Sequence, residues 1–234
     1  MVSSSKRMNR VRASLLALGV CACSTRAAED NTRQPAPVVV PAPPPAAQGP
    51  KVAFLGDSIS AGLHLPSDQA FPAVLQRKLA ARGKPFELMN AGVSGDTTAG
   101  GLRRVDWILK QKPALVVVEL GANDGMRGQP VAEIEQNLRA IVERIRERGA
   151  QVLLLGMRIP PSYGQSYAEA FAAIYPDIAQ ALKVDLVPFF MESVATDPKL
   201  NLPDGIHPTR EGHERLAESV AGPLEQALAA LPHR

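Results

Sequence analysis

Cysteine is absent from everything beyond residue 23 of this 234-residue chain; Cys21 and Cys23 lie near its start. Residues 51–234 therefore offer no disulfide and no thiolate metal site. Aromatic residues make up only 4% of the chain, which argues against a stacking platform for single-stranded nucleic acid. There is no G-x-G-x-x-G, and the glycine-rich stretch "GDTTAGG" at Gly95–Gly101 lacks the lysine of a phosphate-binding loop. Phosphatase chemistry at Asp57 would need metal ligands, and no cluster of them is evident. Excess positive charge is also missing from most of the chain. Residues 1–50 carry six Lys or Arg against two Asp or Glu, so the net +3 of the whole becomes −1 for residues 51–234. The basic isoelectric point belongs to the leader, and the remainder has no nucleic-acid footprint.

The only long apolar run, Ala13–Ala22, is too short to cross a bilayer as a helix. Lys6, Arg7, Arg10 and Arg12 precede it, the layout of a secretory signal over residues 1–23. Val20-Cys21-Ala22-Cys23 resembles a bacterial lipoprotein box, with Cys23 as the lipid-bearing residue; ordinary cleavage near Ala27-Ala28 is the plainer alternative. Residues 24–50 hold seven prolines and many alanines, a composition that favours extended polyproline II over a packed core. They read as a tether. Export to the periplasm follows, with the membrane as a partner through the lipid.

From Lys51 onward strands and helices alternate. Val52–Leu55, Phe86–Asn90, Ala114–Leu120, Val152–Leu155 and Leu186–Phe190 read as five strands. Helices are expected over Ser67–Arg82, Thr98–Lys110, the run from Val131 to Gly149, Tyr167–Leu182 and Glu211–Leu228. Alternation of this kind implies an α/β domain, a central parallel five-stranded sheet covered by helices on both faces. Right-handed crossovers place every strand's C-terminal end on one edge, where open α/β sheets bind ligands.

The chemically distinctive residues fall after those ends. "GDS" (Gly56–Ser58) follows strand one, "NAGVSGDT" (Asn90–Thr97) strand two and "GANDG" (Gly121–Gly125) strand three, while "DGIHP" (Asp204–Pro208) precedes the last helix. A serine nucleophile needs a base, and the base an orienting carboxylate. Of four histidines, His213 on the last helix and His233 in the tail read as solvated, and His64 is a weak rival through its nearness to Ser58. His207 is held extended by Pro208, and Asp204 can curl back to it through Gly205. Anion-stabilising donors are the Ser58 N–H, the Gly95 N–H and the Asn123 side chain. Taken alone, each of these segments also reads as a plain turn or an Asx turn.

"FLGDSIS", Gly95 in "NAGVSGDTT", Asn123 in "GANDG", and "DGIHP" together resemble the four blocks of the SGNH (GDSL) hydrolases, over most of residues 52–230. "VVVELGANDGMRG", "MRIPPSYGQSYAEAFAAIYP" and "VPFFME" are similar to the thioesterase I/lysophospholipase L1/arylesterase subgroup. The resemblance implies a flavodoxin-like three-layer α/β/α domain over 51–234, with Ser58 as nucleophile, His207 as base and Asp204 as its carboxylate. It assigns the Ser58 N–H, Gly95 N–H and Asn123 to the oxyanion hole. No cofactor, no metal and no nucleic acid are implied, and the domain is expected to be a monomer acting on small acyl esters or thioesters. Ile59 replaces the leucine of the motif name, a conservative change. Ile159, Pro160 and Tyr163 are candidates for an acyl groove, and the glycines of "GANDGMRG" for a mobile lid. A carbohydrate O-acetylesterase and a non-catalytic surface binding lipoprotein are the alternatives.

Overall fold

The computed structural model describes residues 49–232. The expected signal peptide, the lipid-bearing Cys23, the tether and His233 lie outside the described residues. Five strands, β1 (Lys51–Gly56), β2 (Glu87–Asn90), β3 (Leu115–Glu119), β4 (Gln151–Leu155) and β5 (Asp185–Val187), form one sheet in the order β2-β1-β3-β4-β5. All four pairings are parallel, with β1 in the middle register between Leu88 and Val116 through its Val52–Ala53 segment. A parallel strand covered on both faces must be apolar on both, and β3 is buried at every position.

Seven α-helices lie among the described residues: α1 (Ser58–Ala61), α2 (Phe71–Ala81), α3 (Thr98–Leu109), α4 (Ala122–Met126), α5 (Val131–Glu147), α6 (Gln165–Leu182) and α7 (Arg210–Ala229). In α5, Ile134, Leu138, Ile141 and Ile145 recur at helical spacing and are all buried, the stripe expected from the sequence. Burying such side chains contributes roughly 1.5–3 kcal/mol each, before the entropy of ordering them. The central α/β layout agrees with the sequence reading. Two details differ. The expected helix Ser67–Arg82 is interrupted at Ala70, whose extended backbone separates a short 3-10 turn (Ser67–Gln69) from α2. The expected strand to Phe190 ends at Val187, before Pro188. The Pro188 carbonyl region packs against Gly156, and the Phe190 N–H donates to the Gly156 carbonyl instead of continuing the ladder.

The strand order reverses between β1 and β3. β1 runs on to β2 on one side, and the chain then returns across it to β3. In a doubly wound sheet the loops diverge at such a point and leave a crevice beyond the strand ends. The turn after β1 and the helix after β3 flank it.

Candidate active site

The first residues past β1 make a tight helical entry. Asp57 caps α1, its Oδ1 accepting the Ile59 N–H at 3.0 Å, and the Asp57 carbonyl accepts from Ala61. The Asp57 and Ser60 N–H groups both donate to Glu119 Oε2 at 3.2 Å. The Ser58 N–H is thus the one donor in Asp57–Ala61 left without an acceptor among the described residues.

Ser58 Oγ lies 2.8 Å from His207 Nε2, across 149 residues of sequence. His207 Nδ1 lies 2.8 Å from Asp204 Oδ2. The aspartate's other oxygen accepts the N–H groups of Ile206 (2.9 Å) and His207 (3.0 Å). Those donors, the backbone N–H of His207 first, hold the Asp204 carboxyl down at about 2. An acceptor-only carboxylate at Nδ1 puts the imidazole proton there and leaves Nε2 with a free lone pair facing the serine. The Ser58 hydroxyl then donates to Nε2, a geometry ready for proton removal.

The candidate oxyanion donors sit beside this pair. Asn123, in the first turn of α4, donates one Nδ2 hydrogen to Asp57 Oδ2 at 3.1 Å, so the second remains free. Gly95 has φ +77°, a conformation that other residues adopt only with strain, and its N–H has no acceptor among the described residues. The Gly95 carbonyl is held by Arg127 at 3.2 Å. The loop carrying Gly95 is tied to the nucleophile turn in three ways. Val93 N–H donates to the Gly56 carbonyl, Asn90 Nδ2 to the Ser60 carbonyl, and Arg104 reaches both sides. Its guanidinium binds Asp96 Oδ2 (2.7 Å), the Ala91 carbonyl and the Gly56 carbonyl (2.9 Å).

His64 is exposed in a left-handed backbone conformation, its ring 6.4 Å from that of His207 and edge-on to it. The imidazole that meets Ser58 is His207's. His213 departs from the sequence reading: it is buried rather than solvated, and its Nδ1 accepts the Phe71 N–H at 3.1 Å. Burial pushes it down to about 4, so it is neutral and joins α7 to the start of α2. Ile159 is also buried, its Cγ2 2.9 Å from where a Cβ on Gly125 would fall, so it belongs to the core; Pro160 and Tyr163 are exposed. Of the three glycines expected to give a lid, Gly121 and Gly125 serve close packing, whereas Gly128 has φ +65° and open space where a Cβ would fall. Added Cβ atoms on Gly121 and Gly125 would lie 2.2 Å from Tyr175 Oη and 2.8 Å from the Phe171 ring.

Sequence reasoning missed Glu119 and Arg104. A carboxylate in "LVVVE" and an arginine nine residues after Gly95 give no local signal, because Glu119 meets residues 59 and 62 positions away and Arg104 reaches Gly56, 48 positions away. A concavity of about 700 Å³ opens at the opposite edge of the sheet, between Pro50, Lys51, Gln111 and Leu228, and holds none of this chemistry.

A serine, histidine and aspartate in hydrogen-bonded series, at the switch point of a parallel sheet, is the arrangement of an α/β serine hydrolase. The chain belongs to the GDSL-like Lipase/Acylhydrolase family, whose model matches residues 54–215. It is 47% identical over 175 residues to Esterase TesA of Pseudomonas aeruginosa, covering 74% of this chain and 87% of that protein. It is 42% identical over 181 residues to "Thioesterase 1/protease 1/lysophospholipase L1" of Escherichia coli K12, covering 77% and 86%. Among solved structures, the psychrotrophic esterase EstA from Pseudoalteromonas sp., inhibited by monoethylphosphonate, superposes with a TM-score of 0.73. It is 33% identical, covering 76% of this chain and 98% of that one.

Proposed function

We propose that this chain is a serine esterase that hydrolyses carboxylic acyl esters and thioesters, including aryl esters and lysophospholipids. The carrying observation is the 2.8 Å contact between Ser58 Oγ and His207 Nε2, backed by Asp204 at the far nitrogen. Ser58 Oγ attacks the acyl carbon while Nε2 takes its proton. Negative charge then develops on the carbonyl oxygen, and the free hydrogens on Ser58 N, Gly95 N and Asn123 Nδ2 are the donors for it. The imidazolium returns its proton to the departing alkoxide or thiolate, leaving an acyl-serine. Water, deprotonated by the same nitrogen, attacks the acyl carbon and releases the acid and the free serine.

Two features support an acyl substrate over an acetylated sugar. Val93, Tyr163 and Ile206 are exposed large apolar side chains, one on each of three loops at this edge. Relatives carry the names esterase and thioesterase/lysophospholipase; the phosphonate inhibitor in the EstA structure is a trap for a serine nucleophile and supports the mechanism for either substrate. Export, with Cys23 as the lipid-bearing residue, is part of the same proposal; intact mass of the processed protein tests it.

The test is Ser58→Ala on the purified protein. Turnover of p-nitrophenyl acyl esters should fall to background with the circular dichroism spectrum unchanged, and fluorophosphonate labelling should disappear. Retained turnover ends the proposal. An acyl-chain-length series on esters and thioesters, run beside an acetylated glycan, then fixes the substrate class.

A further inference from the structure

Glu119 ends the central strand, has no exposed surface, and faces the underside of the turn that carries Ser58. Among the described residues no Lys, Arg or His forms an ion pair with it. Its two oxygens are used very unequally. Oε2 accepts from Asp57 N (3.2 Å), Ser60 N (3.2 Å) and Ser60 Oγ (2.7 Å). Oε1 has no donor at all among the described residues. An ionised carboxylate in that position would leave a buried, charged acceptor empty, which native structures avoid. A proton on Oε1 neutralises the group, so that the unpartnered oxygen no longer carries part of a buried negative charge.

The neighbouring carboxyl is arranged the other way. Both oxygens of Asp57 are met by donors, Oδ1 by Ile59 N and Oδ2 by Asn123 Nδ2. That pattern suits an anion. Two buried carboxyl groups this close cannot both ionise cheaply, and the donors decide which one does. Burial, and then the Asp57 charge, push Glu119 well up, while burial pushes Asp57 up only to about 6. The other titratable groups around the pair are Tyr175 and Asp124, from the helices after β4 and β3, and His207 across the crevice. Space has also been kept for the contact. A Cβ on Gly56 would fall 2.6 Å from Oε2 and 2.1 Å from Ser60 Oγ, so only glycine lets the strand end approach.

We propose that Glu119 is a positioning residue that remains a neutral carboxylic acid at working pH. Through Oε2 it fixes the turn bearing Ser58, and by keeping its proton it leaves Asp57 as the anion that aims the Asn123 amide at the oxyanion. Glu119 touches no substrate. It acts by leaving the Ser58 N–H as the only unspent donor in its turn and by holding Asn123 in one rotamer. This assignment rests on the esterase reading for its catalytic consequence, but the protonation state does not.

Two measurements test it. The first is infrared spectroscopy of the full chain in heavy water at neutral pH, unlabelled and with carbonyl-labelled ¹³C-glutamate. A neutral carboxylic C=O stretch that shifts with the glutamate label is expected, and its absence overturns the proposal. Because no activity is read, this result stands or falls separately from Ser58→Ala. The second compares Glu119→Leu with Glu119→Gln, since glutamine reproduces the neutral acid in shape and donors. Leucine should lower kcat about 100-fold, the scale of a lost oxyanion donor, with KM nearly unchanged, and glutamine should recover most of that loss. Glutamine as poor as leucine, or leucine as active as wild type, would refute the role. Should the leucine variant fail to fold, glutamine against wild type and the infrared band still decide.

Discussion

Two carboxyl groups stand behind the reacting serine and histidine, in opposite surroundings. Asp204 is 41% exposed in a loop, and its three acceptor contacts all come from residues two or three positions along the chain. Glu119 is buried at the end of a strand, and its contacts come from 59 and 62 residues away. Local donors hold the first ionised; desolvation and a neighbouring negative charge hold the second neutral. The same functional group is thus put to two uses by its donors, its burial and its neighbouring charge. One orients a base that must become cationic, and the other stiffens backbone without adding charge beneath a site where negative charge develops.

Disabling each arm separately should expose the asymmetry. Asn123→Ala removes a donor that the buried arm aims, and is expected to cost about 10²–10³-fold in kcat with little change in KM. Asp204→Asn disturbs the tautomer of His207. Water reaches this exposed position and partly replaces the carboxylate, so a loss nearer 100-fold is expected than the ~10⁴ of a buried triad aspartate. Single-turnover kinetics on both variants would rank them, and a larger effect at Asp204 would reverse the comparison.

Stability against pH should separate the two groups as well. Asp204 is lowered from 3.8 to about 2, so its contribution is fully present above pH 4 and is lost as pH falls towards 2. Glu119 is raised well above its usual 4.5. The native state there binds the proton more tightly than the unfolded chain, so stability declines as pH rises from that value. Urea midpoints across this range should show the acid loss diminished in Asp204→Asn and the decline towards alkaline pH diminished in Glu119→Gln. Identical slopes in wild type and Glu119→Gln would contradict a raised Glu119. The smallest effect is expected on the far surface, where Lys84 and Arg82 pair with Glu225. Glu225→Gln should leave activity unchanged and move the urea midpoint barely, and only at low salt.

This comparison also explains what could be read from residue order. Asp204 and His207 were legible because their geometry is made within four residues, by a glycine, a proline and backbone donors. Ser58 was legible because "GDS" interrupts an apolar run, and the five strands because their apolar runs are bounded by turn residues. Glu119 was not, since a glutamate at the end of "LVVVE" looks like the residue where a strand surfaces. Only the register of β3 beside β1, with Gly56 opposite Glu119, carries it under the turn. His213 failed for a related reason. Nothing in "REGHERL" announces that an amide at Phe71, 142 residues earlier, will need its ring nitrogen. The break at Ala70 was legible in Pro72, which is tolerated in the first turn of a helix but not in its interior, and the expected helix ran through it.

Arg104 joins Gly56, Ala91 and Asp96 through one guanidinium, and so ties the serine's turn to the segment presenting the Gly95 amide. Those two parts cannot loosen independently while that clasp holds. Warming the enzyme should therefore abolish catalysis in a single cooperative step that coincides with hydrogen exchange at the start of α3, with no partially competent form in between.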